Sequence, residues 1–137
     1  MSLYRAIYTS RPFGFDSNIL NGVLMDARRA NLRDGITGAL ICRDDIYLQW
    51  LEGPEAKVKS ALARIRRDDR HLEVTVHVTE PVAERMFGAW AMLHDPEVSW
   101  IWSADEVAGG AVERATAEEV TSFFMKWRAA FTQPDTD

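Results

Sequence analysis

Three polar side chains that form specific hydrogen bonds stand where the sequence pattern predicts buried positions. Tyr8 lies near the end of a predicted strand, Asn31 closes a predicted helix, and Gln49 lies within the apolar segment YLQWLEG. Singly, they have structural interpretations as a core ring, a helix C-cap and an edge-strand amide. Together they predict one shared pocket, because buried amides and phenols must find hydrogen-bond partners. A planar heterocycle with carbonyl, imide and bare-nitrogen edges would satisfy all three.

Hydrolytic and metal chemistry find little support in the sequence. His71, His77 and His94 are not spaced as a ligand cluster, and Cys42 is the only cysteine. The motifs HExxH, CxxC and GxSxG are absent from the sequence, as are glycine-rich phosphate loops. His77 lies in an alternating segment and is interpreted as a surface residue. We therefore expect no metal, and a bound nucleotide must be held in some other way.

Composition sets the class of the chain. Its 137 residues suit one domain, and 47% hydrophobic residues suffice for one core. The 16 basic and 21 acidic residues give a net charge of −5, which disfavours nucleic acid or anionic membrane as a main partner, although a local basic cluster can still hold a phosphate. The single cysteine and the lack of a secretory or membrane-spanning segment favour the cytoplasm.

Apolar periodicity predicts eight elements. The expected elements are a strand at 2–9, a helix at 17–30, a hairpin of strands at 36–42 and 46–51, a helix after Pro54 with Val58, Ala61, Leu62 and Ile65 on one face, a strand from 72 that ends at Pro81, a short strand within 89–95, and a helix at 115–131.

This order predicts a ferredoxin-like α+β fold, βαββαββ, with the first two helices on one face of the sheet. Such a fold does not by itself give function. The last helix, which opens with the capping-box spacing of Thr116 and Glu119, must bury its apolar stripe on the free face of the sheet or on a second subunit. That stripe comprises Val120, Phe123, Phe124 and Trp127.

Four segments, in order, resemble the signature blocks of the blue-light-using-flavin (BLUF) family. They are NLRDGITGALI at 31–41, YLQWLEG at 47–53, RRDDRH at 66–71 and FGAWAML at 87–93, with Tyr8 upstream at the position of the family's photoactive tyrosine. The resemblance runs from about residue 2 to 95. It implies a flavin-binding domain at 1–95 and a C-terminal helical extension at 96–137.

The resemblance implies a flavin between the two helices, FAD being the usual ligand, with FMN and riboflavin left open. Tyr8 would donate an electron and a proton to the excited flavin, Gln49 would lie between Tyr8 and flavin N5 and O4, and Asn31 would bind the O4 and N3 edge. Further matching positions are Val23, Leu40 and Tyr47 along the ring, and Arg64, Asp68, Arg70 and His71 at the ribityl and phosphate end. For these last four, a solvated basic helix end is the alternative.

The resemblance also indicates positions for signal relay, and the sequence departs from the family pattern at two positions. Trp90 and Met92 match the strand thought to pass the signal onward, with ordinary core positions as the alternative. Ala27 and Ala30 stand where relatives often carry polar side chains, so hydrogen bonds near the ring are lost. Trp50 is a second possible electron donor, although strand alternation predicts that it points to the opposite face.

We therefore expect a non-enzymatic blue-light photoreceptor that signals to a downstream protein and forms a homo-oligomer. The exposed face of the last helix, with Phe124, Trp127 and Phe131 as anchors, is the expected contact surface. The alternatives are a light-insensitive interaction module on the same fold and a small flavoenzyme, the latter disfavoured by the lack of a nicotinamide site.

Overall fold

A computed structural model describes residues 3–12, 17–42, 45–68, 71–88, 93–94 and 101–132 of the chain. Within these ranges the predicted order of strands and helices is confirmed, with one short helix added. The elements are β1 Leu3–Pro12, α1 Ser17–Asp34, β2 Thr37–Cys42, β3 Tyr47–Pro54, α2 Glu55–Arg66, β4 His71–Val82, β5 Leu93–His94, α3 Ala104–Ala108 and α4 Ala117–Thr132.

The strands form one sheet in the order β4-β1-β3-β2-β5. The first four run antiparallel to one another, whereas β5 runs parallel to β2 through Ala39 and Leu40. This is the predicted ferredoxin-like arrangement, in which β1 and β3 are central. Central strands have hydrogen-bonded neighbours on both sides, so the side chains on them are held firmly in place.

Alternation along the strands gives the sheet two different faces. The front face carries Ala6, Tyr8 and Leu51, which share a buried cluster with residues of α1 and α2. On the back face, Ile7 and Trp50 belong to a second cluster that includes residues of α4. The first two helices therefore lie on one side of the sheet, as predicted.

Helix α4 buries its apolar stripe on the back face of its own chain. Phe124 is 0% exposed and Trp127 is 3% exposed. The Trp50 ring lies 5.3 Å, centroid to centroid, from both Phe124 and Phe87 in edge-on contacts. The expectation that Phe124 and Trp127 are exposed anchors for a partner is therefore wrong, because the sheet takes up their apolar surface. The side chain of Phe131 lies outside the described residues.

A buried carboxylate joins β3 to the segment that follows β4. Glu52 is 1% exposed on the back face. It accepts hydrogen bonds from the backbone N–H groups of Met86 (2.8 Å) and Phe87 (2.6 Å), from Trp50 Nε1 (3.0 Å) and from Thr37 Oγ1 (3.1 Å). Four donors offset the cost of burying the charge, because hydrogen bonds to an ionised group are strong.

The hairpin strands approach so closely that one position requires glycine. A Cβ atom added at Gly38 would lie 1.9 Å from the carbonyl oxygen of Trp50. No real Cβ atom tolerates such a contact, so a side chain at this position would push β2 away from β3. The glycine of the TGAL segment is thus a packing requirement of the sheet.

Several boundaries and surroundings differ from the sequence prediction. Strand β4 continues through Pro81, which a strand at the edge of the described sheet tolerates because the missing N–H can face outward. His77 is half-buried rather than a surface residue, since its Nε2 lies 2.9 Å from Thr9 Oγ1. Burial lowers the pKa of His77, with Glu119 opposing the shift.

The ends of the C-terminal helices also refine the prediction. Helix α3 begins with a capping box between Ser103 and Glu106, a spacing visible in the sequence SADE. At α4, Thr116 Oγ1 accepts from the Glu119 backbone N–H at 3.1 Å, which is one half of the predicted box. The Glu119 carboxylate accepts from Trp102 Nε1 at 3.0 Å, so it ties α4 to the chain before α3.

The Glu52 network predicts a large loss of stability in Glu52→Gln. The substitution keeps the volume but turns an amide N–H2 group toward donors that need an acceptor, so we expect the free energy of unfolding to fall by about 3 kcal/mol. Urea denaturation of both proteins measures the difference. Glu118→Gln, at an exposed carboxylate on α4, should leave the midpoint nearly unchanged. Equal midpoints for Glu52→Gln and the parent would show that the network contributes little.

Candidate functional site

A cavity of about 480 Å³ lies between α1, α2 and the front face of the sheet. This volume lies within the range of small-molecule and cofactor sites. Its lining residues are Tyr8, Val23, Asp26, Ala27, Arg29, Ala30, Asn31, Arg33, Gln49, Leu51, Ala61, Arg64, Ile65, Arg67 and Asp68.

The centre of the site is the cross-strand pair of Tyr8 and Gln49. The two residues face each other directly in the β1–β3 register. Tyr8 is 0% exposed and Gln49 is 4% exposed. The Tyr8 hydroxyl donates a hydrogen bond to Gln49 Oε1. With its oxygen accepting from the phenol, the Gln49 amide presents its N–H2 group as a donor to the rest of its surroundings.

Burial keeps the Tyr8 phenol protonated. The loss of hydration raises its pKa well above the ordinary value, and the nearby charges of Asp68 and Tyr47 raise it further. A phenolate at this position would be costly, because its charge would lose hydration and would lie near the like charge of Asp68. The side chain therefore enters any chemistry as a neutral donor whose proton is directed at Gln49.

Helix α1 positions Asn31 one turn before its end. The helix runs to Asp34, a turn beyond the prediction, and ends where Gly35 adopts φ +71°. The backbone N–H of Ile36 then returns to the Asn31 carbonyl at 2.9 Å, the pattern of a Schellman C-cap. Asn31 is 3% exposed and lines the cavity. It lies within α1, which ends at Asp34, so it is not the C-cap residue.

Arg85 fixes the end of α1 against β3. Its guanidinium donates to the carbonyl oxygens of Gly35 (2.7 Å) and Glu52 (3.2 Å). Gly35 follows the helix that carries Asn31, and Glu52 lies on the strand that carries Gln49. This clamp, formed outside the cavity, therefore sets the spacing of the two amides that line it.

Charged side chains surround the cavity at its helix side. Arg29, Arg33, Arg64 and Arg67 line it together with two aspartates, which gives a rim with an excess of positive charge. Arg33 also donates to Asp34 at 2.8 and 2.9 Å. These hydrogen bonds hold the pKa of Asp34 below its ordinary value against the opposing effect of burial.

The structure brings most of the predicted site residues together. Six of the ten line the cavity, namely Tyr8, Val23, Asn31, Gln49, Arg64 and Asp68. Leu40 and Tyr47 do not line it but belong to the buried cluster that also contains Tyr8. Arg70, Trp90, Met92 and the side chain of His71 lie outside the described residues.

Sequence reasoning missed the polar contribution of α1. Asp26, Arg29 and Arg33 line the cavity. Positions 26 and 33 lie about one helical turn on either side of Ala30, so the spacing would have placed both near Ala30 if the helix had been predicted to continue to Asp34. Ala27 and Ala30 also line the cavity, so both departures from the family pattern present methyl groups to it.

Trp50 lies away from the cavity, as strand alternation predicted. It is 0% exposed on the back face, where its ring contacts Phe87 and the guanidinium of Arg5 stands 4.7 Å from its centroid. The part of the chain that the structure describes contains no group of three or more possible metal ligands. Nor does any helix in those ranges have the length and apolar character to cross a bilayer.

The cavity and its Tyr–Gln pair lie within a segment that matches a known family. The model of the family described as "Sensors of blue-light using FAD" matches residues 3–93. The chain belongs to the BLUF family. This family consists of sensors, which agrees with the expectation that the chain is not an enzyme, and flavin is the ligand of BLUF domains.

Relatives of known name extend the comparison. Photoactivated adenylate cyclase subunit beta of Euglena gracilis is 37% identical over 68 residues, which cover 50% of this chain and 8% of that protein. The blue light- and temperature-regulated antirepressor BluF of Escherichia coli is 33% identical over 66 residues, 48% of this chain and 16% of the antirepressor. The BLUF chain thus spans a small part of either relative.

A solved BLUF structure matches nearly end to end. The dark-state structure of BlrB, described as a BLUF protein, has a TM-score of 0.72 and 26% identity, and the match covers 92% of this chain and 97% of BlrB. That coverage exceeds the span of the family match. The structural likeness therefore includes part of the C-terminal helices that cover the back face.

The raised pKa of Tyr8 predicts a phenol that does not ionise while the chain is folded. Ordinary tyrosines ionise at about pH 10. We expect the near-ultraviolet tyrosinate signals of the parent and of Tyr8→Phe to coincide through this pH, because Tyr8 contributes no ionisation while the chain is folded. An additional ionisation in the parent, with the fold intact by circular dichroism, would contradict the burial argument.

Proposed function

We propose that this chain is a blue-light photoreceptor that binds FAD non-covalently in the cavity between α1 and α2. The observation that carries the proposal is the buried hydrogen bond from Tyr8 to Gln49 at the cavity wall. A phenol and an amide that face each other on central strands, beside a cavity of cofactor size, form a hydrogen-bond unit that a ligand edge can complete.

The cavity residues fit a flavin in their chemistry. Gln49 and Asn31 supply amides for the carbonyl, imide and nitrogen edge of an isoalloxazine ring. Val23 and Leu51 supply apolar contacts for its faces, with Leu40 and Tyr47 in the packed layer that holds Tyr8. Arg64 and Arg67 supply charge for phosphate groups, and Arg70 and His71 are proposed to add to this end.

Tyr8 and Gln49 are proposed to move a proton and then change their hydrogen bonding. A bound flavin supplies a strong oxidant when it absorbs blue light. Tyr8 is placed to lose an electron, and its hydroxyl already points at Gln49 Oε1, so the path of its proton is defined. Return of both the electron and the proton to Tyr8 restores the neutral phenol and can leave the Gln49 amide in another orientation or tautomer.

Two stable arrangements follow from the burial of the pair. An amide has distinct donor and acceptor ends, and in a buried site few arrangements satisfy every partner. Gln49 with its oxygen toward Tyr8 is one such arrangement, and a rotated or tautomeric Gln49 is the other. A switch between two satisfied networks keeps its state until thermal relaxation, as a light sensor requires.

The identity of the flavin and the route of the signal are also part of the proposal. FAD is favoured over FMN or riboflavin because the arginines at the rim exceed what one phosphate needs. We propose a flavin-binding domain at 1–95 and an extension at 96–137, with Trp90 and Met92 passing the signal to a separate downstream protein or a second subunit. The single cysteine, Cys42, supports a cytoplasmic setting.

Substitution of the pair tests the photochemistry. We expect Tyr8→Phe and Gln49→Leu each to retain bound flavin and to lose the light-induced red shift, because each removes one member of the hydrogen-bonded pair. Absorption spectra taken in the dark and directly after blue illumination measure the shift. Tyr4→Phe is the matched control, since Tyr4 lies on the same strand outside the cavity lining. A normal photocycle in Tyr8→Phe would overturn the role given to Tyr8.

The identity of the flavin is tested separately. The ligand released by denaturing the purified protein should elute as FAD in chromatography. We expect Arg64→Ala combined with Arg67→Ala to weaken FAD binding at least tenfold and riboflavin binding little, because riboflavin has no phosphate for these side chains. Equal losses of affinity for FAD and riboflavin would contradict the assignment of Arg64 and Arg67 to the phosphate end.

A further inference from the structure

The outer face of α1 carries an exposed stripe of two apolar and two basic side chains. Met25, Arg28, Arg29 and Leu32 follow the i, i+3, i+4, i+7 spacing that puts side chains on one helix face. Met25 is 59% exposed and Leu32 is 76% exposed. They are two of the four large apolar residues exposed in the described part of the chain. We call Met25, Arg28, Arg29 and Leu32 the α1 stripe.

The stripe belongs to a positively charged layer of an acidic protein. Residues 17–34 form α1, and residues 55–68 comprise α2 and the short segment that follows it. Together these two ranges contain eight Lys or Arg and four Asp or Glu. The whole chain has a net charge of −5. Charge is therefore segregated, and a partner that approaches this layer is selected by negative charge.

We propose that the α1 stripe is the docking surface for an acidic amphipathic helix of a partner protein. Leu32 and Met25, one at each end, would receive apolar side chains of the partner. Arg28 and Arg29 between them would receive its carboxylates. An amphipathic helix presents both kinds of group at the same spacing, which is how helices dock on helical surfaces. This docking surface rests on the proposed function, in which the partner helix belongs to the downstream signalling protein.

The charges of the stripe argue against other occupants. A second copy docked symmetrically through the same stripe would set Arg28 and Arg29 against their own counterparts, and like charges in contact are costly. An anionic membrane would take up the arginines, but two apolar side chains insert little surface and the net charge of the chain opposes approach. An acidic protein helix satisfies both parts of the stripe.

The stripe is placed to respond to the cavity. Leu32 directly follows Asn31, whose side chain lies in the cavity wall. Arg29 lines the cavity rim and pairs with Asp26 at 3.6 Å. A change of hydrogen bonding at Asn31 would therefore act on the helix that carries the stripe. We expect the affinity for the partner helix to differ between dark and illuminated protein.

Binding of a designed peptide to the full chain with flavin bound tests the proposal. The probe is a synthetic helix with leucines on one face and glutamates elsewhere, followed by the anisotropy of a red-absorbing label. We expect saturable binding that weakens with salt and falls about tenfold in Leu32→Ser, because one buried leucine contributes about that factor. Leu72→Ser, at an exposed leucine on β4, should bind like the parent. Peptides with leucine replaced by serine, or glutamate by glutamine, should bind weakly.

Three results would overturn the docking surface. The first is equal peptide affinity in Leu32→Ser and the parent. The second is self-association in sedimentation that Leu32→Ser abolishes, which would assign the stripe to a second copy. The third is binding of the parent to vesicles of phosphatidylcholine and phosphatidylglycerol that Leu32→Ser abolishes, which would assign the stripe to a membrane. A parent protein that shows the light-induced red shift but does not bind the peptide would refute the docking alone, whereas a parent without a red shift would refute the photoreceptor.

Discussion

The antiparallel pairing of β1 with β3 is the constraint on which the site depends. It sets Tyr8 directly opposite Gln49 on the front face, and both strands have a further strand on their other side. A shift of register by one residue would turn both side chains away from the cavity. The register is held by the apolar residues of the two faces, so the core of the protein and the geometry of its hydrogen-bond pair have the same origin.

The two faces of the sheet divide packing from ligand chemistry. The back face is closed by α4 and by the aromatic contacts of Trp50, Phe87 and Phe124, with Glu52 as its one extensively hydrogen-bonded carboxylate among the described contacts. The front face keeps a cavity because α1 and α2 stand apart above it. Gln49 and Trp50 are adjacent in the chain but lie on opposite faces. A change at the amide is therefore one residue from the packed layer beneath α4.

The burial of α4 changes where a partner can bind. The sequence left the free face of the sheet and a second subunit open as surfaces for the α4 stripe, and Phe124 and Trp127 were also predicted as exposed anchors for a partner. The sheet has two apolar faces, however, and the helix covers the one that α1 and α2 leave open. Surface apolar residues remain elsewhere, notably Met25 and Leu32 on α1, where they stand among arginines. The basic layer and the exposed side chains thus coincide on the helix that also carries Asn31.

Local patterns in the sequence determined the elements and the ferredoxin-like order, since alternation and helical spacing are properties of neighbouring residues, and four segments that resemble signature blocks indicated the family. The local patterns also singled out Tyr8, Asn31 and Gln49 as polar groups at buried positions. Tertiary structure decided what depends on distant residues: the hydrogen bond of Tyr8 to Gln49, the arginine rim, the four donors around Glu52 and the face that α4 covers. The physical reason is that burial and hydrogen-bond partners arise between segments far apart in the chain, whereas periodicity reports only which way a side chain points within its own segment.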